Sequence, residues 1–167
     1  MKEAVEKGMK AYYDYRKIVE QEGERLINYA RQNKRRIMVL SGRPYHIDKE
    51  IDHGISKLAN SLGFVVVSED SVYHLARSER VKVLNQWTYH SRLYKAAYFV
   101  CENPDAELVQ LVSFGCGMDA ITSDEVKAIL QEKGKIYTQL KIDEIANLGT
   151  IKIRLRSLIG ALENRGE

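Results

Sequence analysis

Cysteine is scarce in this sequence: only Cys101 and Cys116 occur among 167 residues. Two thiols do not make the disulfide frame of a small secreted domain. Proline is as rare, with two residues, and no repeat or low-complexity tract is present, which excludes a Pro-rich linker or a disordered chain. There is no run of 18 apolar residues and no signal-peptide pattern, so a cytoplasmic protein that does not enter the membrane is expected. Charge of one sign is also lacking. The net charge is +3, and the basic run Arg31, Lys34, Arg35 and Arg36 falls where a helix should end, so helix-terminus stabilisation is expected there rather than nucleic-acid binding. Neither G-x-G-x-x-G nor a Gly-rich GK[ST] loop appears, so no dinucleotide or P-loop nucleotide site is expected.

What remains is an ordinary globular composition, 44% apolar and 29% charged, in a chain long enough to bury one real core. Val5, Met9, Tyr12, Tyr13, Ile18, Val19, Leu26, Ile27 and Ala30 recur at helical spacing, which predicts a long helix over 2–33, bent or split at Gly23. This makes residues 1–34 a helical lead-in to an α/β domain over 35–167, the whole reading as a fragment of a larger protein. A strand is predicted at 36–41, then a helix marked by Ile51, Ile55, Leu58, Ala59 and Leu62, with His53 within it and Gly63 after it. A second strand follows at 64–68. Residues 72–80 fit a short helix or a loop. A helix over 83–101, a strand at 108–113 and a capping box at Thr122–Glu125 opening a helix to Lys133 come next. A strand at 135–142 and a last helix capped by Asn147 complete the chain.

Strands alternating with helices imply parallel pairing with right-handed crossovers. The expected fold is therefore α/β, a small doubly wound parallel sheet of about four strands in the order 2-1-3-4, Rossmann- or flavodoxin-like. The loops 42–46, 68–71, 113–119 and 143–147 then share the carboxyl edge, where open sheets bind ligands. The switch point between strands one and three sets the Arg43–His46 loop beside Cys116.

Cys116 lies between Gly115 and Gly117, and two glycines leave a thiol little steric cover. Set against a buried, inert cysteine, three roles are open: nucleophile with His46 as base, redox thiol, or cluster ligand. An iron–sulfur cluster usually needs four thiolates, more than this chain holds, so the rest would come from elsewhere. Cys101 is expected in the core. Arg43, Tyr45 and His46 form a candidate contact for an anion or acyl thioester, since arginine offers a bidentate fork; the competing reading is a surface salt bridge. Trp87, Tyr89, His90 and Tyr94 at helical spacing suit a core face, and the acidic pairs Glu69-Asp70 and Asp143-Glu144 suit turn caps. His53 and His74 have no metal-ligand spacing.

The blocks Ser41-Gly42-Arg43-Pro44-Tyr45-His46-Ile47-Asp48, Ser68-Glu69-Asp70-Ser71-Val72, Gln86 to Tyr94, Leu108 to Leu111, Ser113 to Ala120 and Lys141-Ile142-Asp143-Glu144 resemble, in the same order, segments of the large CoA-substrate-specific enzyme activases. Those proteins are related to 2-hydroxyacyl-CoA dehydratases and their activators. The resemblance covers about residues 36–160. It departs at residues 52–56 and 144–147, where this chain has Asp-His-Gly-Ile-Ser and Glu-Ile-Ala-Asn. It implies the carboxyl-terminal, dehydratase-subunit-like domain of an anaerobic system in which separate ATPase modules drive low-potential electron transfer. It further implies Cys116 as one ligand of a [4Fe-4S]-type cluster shared with other domains, with Arg43, Tyr45, His46, Ser113, Gly115 and Gly117 around it. The expected partners are the ATPase module, the domain supplying the other cluster ligands and an acyl-CoA enzyme; a homodimer through the long first helix is a further expectation. The isolated chain is expected to be inactive. The alternative is a binding module, without a cluster, that docks an acyl-CoA or a partner through the Arg43–His46 loop.

Overall fold

Two stretches are buried along their whole length, Ile37–Ser41 (β1) and Ala106–Val112 (β3). Near-continuous burial marks central strands covered on both faces of a parallel sheet. The computed structural model describes residues 1–48, 50–77, 81–113, 117–142 and 147–166. The flanking strands are Val65–Ser68 (β2) and Thr138–Lys141 (β4). All pairings are parallel in the order β2-β1-β3-β4, with Ile37 opposite both Val65 and Ala106 and Val109 opposite Thr138. This is the doubly wound α/β architecture, with the strand order, that the alternating pattern predicts.

Among the described residues six α-helices complete the fold: Lys2–Gln32 (α1), Ile55–Ser61 (α2), Glu69–Val72 (α3), Thr88–Glu102 (α4), Gly117–Glu132 (α5) and Leu148–Asn164 (α6). On one face, Ile27 and Ala30 of α1, Leu93, Ala97 and Val100 of α4, and Val126, Ile129 and Leu130 of α5 pack on Val39, Val67 and Leu108. On the other, Ile55 and Ala59 of α2 with Ile151, Leu155 and Leu158 of α6 cover Met38, Leu40, Val109 and Leu140. The amino half of α1 is exposed, with Val5, Met9, Tyr12, Tyr13 and Ile18 in solvent. No helix among the described residues is long and apolar enough to cross a membrane.

The basic run does stabilise a helix end, in part a different one from that expected. Arg35 donates to the carbonyls of Asn60, Gly63 and Phe64 at the end of α2, while Arg31 in the last turn of α1 pairs with Asp105 at 2.8 Å. Asn147 caps α6 as expected, accepting from the Gly149 N–H.

Four local expectations are corrected. Gly23 does not split α1, which runs unbroken from Lys2 to Gln32. A Cβ at residue 23 would collide with the Ser71 carbonyl oxygen and Cβ, so the glycine serves the close crossing of α1 over α3. Thr122–Glu125 is no helix start but the interior of α5, because those side chains have other partners. Ser123 Oγ accepts from Gln110 Nε2, Thr122 Oγ1 donates to the Met118 carbonyl, and Glu125 accepts from the Lys82 N–H. The helix predicted from residue 83 begins at Thr88, and the Lys82–Glu125 bond ties the preceding segment to α5 instead. His53 precedes α2 in a left-handed conformation (φ 49°) rather than lying within it. Of the ambiguous stretch 72–80, Tyr73–Leu75 is a 3₁₀ turn, and 78–80 lie outside the described residues.

Candidate functional site

Pro44 disfavours helical backbone at Arg43, which is extended (φ −78°, ψ 154°), and the chain then coils into a 3₁₀ turn over Pro44–Ile47. The turn folds His46 inward, where it is 1% exposed. Arg43 N–H donates to His46 Nδ1 at 3.0 Å, so Nδ1 is the unprotonated nitrogen. Nε2 therefore carries the hydrogen and donates to Ser113 Oγ at 3.3 Å, and Tyr45 Oη lies 3.1 Å from the same hydroxyl. Burial lowers the His46 pKa; the nearby Asp119 charge opposes this and Arg43 adds to it. With both ring nitrogens committed, His46 has no lone pair left to act as a base. It is a neutral post that links the Arg43–Ile47 turn to the end of β3. Gly42 is required beneath it, because a Cβ there would run into the His46 ring and the Leu111 carbonyl oxygen.

Arg43 Nε donates to Asp119 Oδ1 at 3.0 Å, bridging the turn to the first turn of α5. The salt-bridge reading of Arg43 is thus present in the structure. Asp119 Oδ2 and His90 Nε2 are buried with no hydrogen-bond partner among the described residues. Burial depresses the His90 pKa, against the pull of Asp119 and with a small push from Arg43. Trp87 stacks on His90 at 5.2 Å between ring centres. Beside them opens a recess of about 550 Å³ lined by Val83, Leu84, His90, Tyr94, Met118 and Ile121. Tyr94 belongs to the core, as its spacing suggests, but His90 and Trp87 face this recess.

The structure therefore brings Arg43, Tyr45, His46 and Ser113 together on the carboxyl edge, and Gly117 opens α5 beside them with no atom near its absent side chain. Gly115 and Cys116, like Asp143 and Glu144, lie outside the described residues. Cys101 sits apart, near the end of α4. Its thiol donates to the Ile129 carbonyl, and burial pushes its pKa up to about 11, leaving little thiolate for ligation or redox chemistry at neutral pH. No group of three or more His, Cys, Asp or Glu among the described residues could hold a metal ion. An iron–sulfur cluster at this edge would find at most one thiolate in this chain, that of Cys116, and would need its remaining ligands from elsewhere.

Two groups escaped the sequence reading. Asp119 is one, joined to Arg43 across 76 positions of sequence. Glu69 is the other. Expected as a turn cap, it is 3% exposed below α1, and burial raises its carboxyl pKa to about 8. Its neighbour Asp70 takes the local role, accepting from Ser68 Oγ at 2.5 Å.

Compared with known families, residues 1–72 match the model of the CoA enzyme activase uncharacterised domain. The match takes in α1, β1, the Arg43–Ile47 turn, β2 and α3, and ends before α4 and the Cys116 segment. No curated protein and no solved structure matches the chain.

Proposed function

We propose that this chain is a module of a CoA enzyme activase-type protein that contributes Cys116 as one thiolate ligand of an iron–sulfur cluster completed by other modules. The observation that carries this reading is the bracing of both flanks of the cysteine's segment. Three residues before Cys116, Ser113 is held by Tyr45 and His46; three residues after it, Asp119 is held by Arg43. A ligand thiolate needs backbone fixed on either side and outer contacts that orient it. The match over residues 1–72 supports the activase assignment. When bound, such a cluster supplies single-electron transfer at low potential. This chain's residues would orient the thiolate and, through neutral His46 and the Arg43–Asp119 pair, keep the surrounding net charge small.

The test is anaerobic reconstitution with iron and sulfide of the longer protein in which this module sits, in the cytoplasmic, ATP-driven system the reading implies. Cys116→Ala is expected to lower bound iron and to change the cluster's absorption and paramagnetic resonance spectra. Cluster content identical to the parent's would remove Cys116 from the role.

A second reading is favoured by the apolar recess beside Trp87, which has the size and lining of an acyl-group pocket. In that case the edge docks an acyl-CoA without a cluster. Titration with a CoA thioester distinguishes the two: saturable binding weakened by Met118→Glu, with no iron bound by the longer protein, favours the second.

A further inference from the structure

A different recess, of about 340 Å³, opens between α1 and α4 and shares only the Gln86–Trp87 wall with the apolar one. Arg16 of α1 and Arg92 and Lys95 of α4 all line it, and among the described residues no carboxylate does. We propose that it is a binding site for a phosphorylated small molecule, held by these three cations. The inference does not rest on the role proposed for Cys116, and it uses no residue of the Arg43–His46 turn.

The cations are gathered rather than scattered. Arg16 lies over the Tyr73 ring at 5.4 Å and near the Tyr12 ring at 5.8 Å, which holds its guanidinium at the mouth. Among the described residues its acidic partner is Glu20, at a loose 3.7 Å, and Glu20 itself accepts from Tyr73 Oη at 2.9 Å. Arg92 Nε is buried and has no hydrogen-bond partner among the described residues. Buried Glu69 feels the Arg92 charge, but its Oε2 and Arg92 Nε both lack a hydrogen-bond partner among the described residues. Burial holds that carboxyl protonated at neutral pH, so it does not offset the arginine. A guanidinium whose Nε is unpartnered in a partly enclosed recess is stabilised by an incoming anion. Two guanidinium forks and an ammonium suit phosphate oxygens. The first turn of α4, which begins at Thr88 without a side-chain cap, adds its positive dipole end at the same wall. The volume exceeds that of a lone phosphate and leaves room for an organic group along Trp87, which is 46% exposed.

Inorganic pyrophosphate titrated into the 167-residue chain tests this, read by calorimetry and by the fluorescence of its single tryptophan, Trp87. Saturable one-site binding at physiological salt is expected, weakened about tenfold or more by Arg92→Gln. Lys95→Gln is the second variant, in case loss of Arg92 disturbs folding, which circular dichroism would show. Lys34→Gln, in the other basic patch, is expected to leave binding unchanged. The proposal is overturned by no saturable response up to about 10 mM, or by equal weakening in the Lys34 variant.

Discussion

Glu69 gives the sharpest test of how this core is built. Its carboxyl is at the end of β2 beneath α1, and burial raises its pKa from the ordinary 4.5 to about 8. Its backbone hydrogen bond and Arg92 oppose the shift, and Asp70 adds to it. Between those two pH values the folded chain holds a proton that the unfolded chain has released. Stability from this group is therefore complete below pH 4.5 and is lost as pH rises through about 8. At about 1.4 kcal/mol per pH unit, the whole gap corresponds to ~5 kcal/mol, a large share of a domain's stability. Glu69→Gln keeps the shape and abolishes the titration. Urea unfolding of both proteins at several points from pH 5 to 9 isolates the effect as their difference, because the histidines titrate alike in both. The expected difference favours the variant progressively, by several kcal/mol at the alkaline end. A difference that stays constant with pH, or that favours the parent at high pH, would refute the argument. It would mean that the carboxylate is ionised and compensated, with Arg92 the first candidate.

Three further outcomes follow from packing and pairing. Gly23→Ala, which at an open helix site would gain about 1 kcal/mol, is expected to destabilise by ~1–3 kcal/mol because its methyl meets the Ser71 backbone; thermal unfolding gives the sign. Lys135→Met removes the ammonium that lies 3.3 Å from buried Glu107 and also donates to the Pro104 and Ala106 carbonyls, at an expected ~3–5 kcal/mol, and pairing it with Glu107→Leu is expected to restore much of the loss. His46 titrates in the opposite sense to Glu69: burial lowers its pKa below the ordinary 6.5. Its contribution is present above pH 6.5 and lost as pH falls through the lowered value, and nitrogen-15 spectra should show the Nε2–H tautomer at neutral pH.

Topology was legible because it depends on patterns that survive local error. β1, β2 and β3 are apolar runs set between amphipathic segments, and only a parallel sheet accommodates that alternation. The errors share a cause: a residue's partner lay far along the chain. Thr122–Glu125 has the composition of a capping box, but Gln110 and Lys82 claim Ser123 and Glu125. Leu84 and Trp87 keep a helical period with α4, yet the segment holding them is bonded to α5 through Lys82. Gly23 carries no local mark that distinguishes a bend from a close crossing. Glu69 resembles any acidic residue after a strand, and its burial comes from helices, α1 and α4, that pack on α3 from elsewhere in the chain. The Arg43 turn lies beside the end of β3, a neighbourhood that the strand order dictates, while Cys116, expected beside it, lies outside the described residues; the choice of Asp119 as the turn's partner depends on where α5 begins.

That partnership decides where an anion should go. From sequence, Arg43 is the obvious fork for a phosphate or carboxylate, but Asp119 occupies its Nε at 3.0 Å and the two charges offset one another. An incoming anion at this turn would have to compete with a carboxylate already in place. Across Trp87, by contrast, Arg16, Arg92 and Lys95 line a recess with no carboxylate among the described residues. The two sites should therefore separate under mutation. Arg43→Gln is expected to cost ~1–3 kcal/mol of stability by removing the cation facing Asp119, a half-buried pair, and to leave the pyrophosphate affinity of the chain unchanged. Arg92→Gln is expected to do the reverse, lowering the affinity while stability holds or rises, because a desolvated charge is removed. If instead Arg43→Gln abolishes anion binding and Arg92→Gln does not, the Asp119 pair opens to admit ligands and the turn, not the α1–α4 recess, is where this fold receives them.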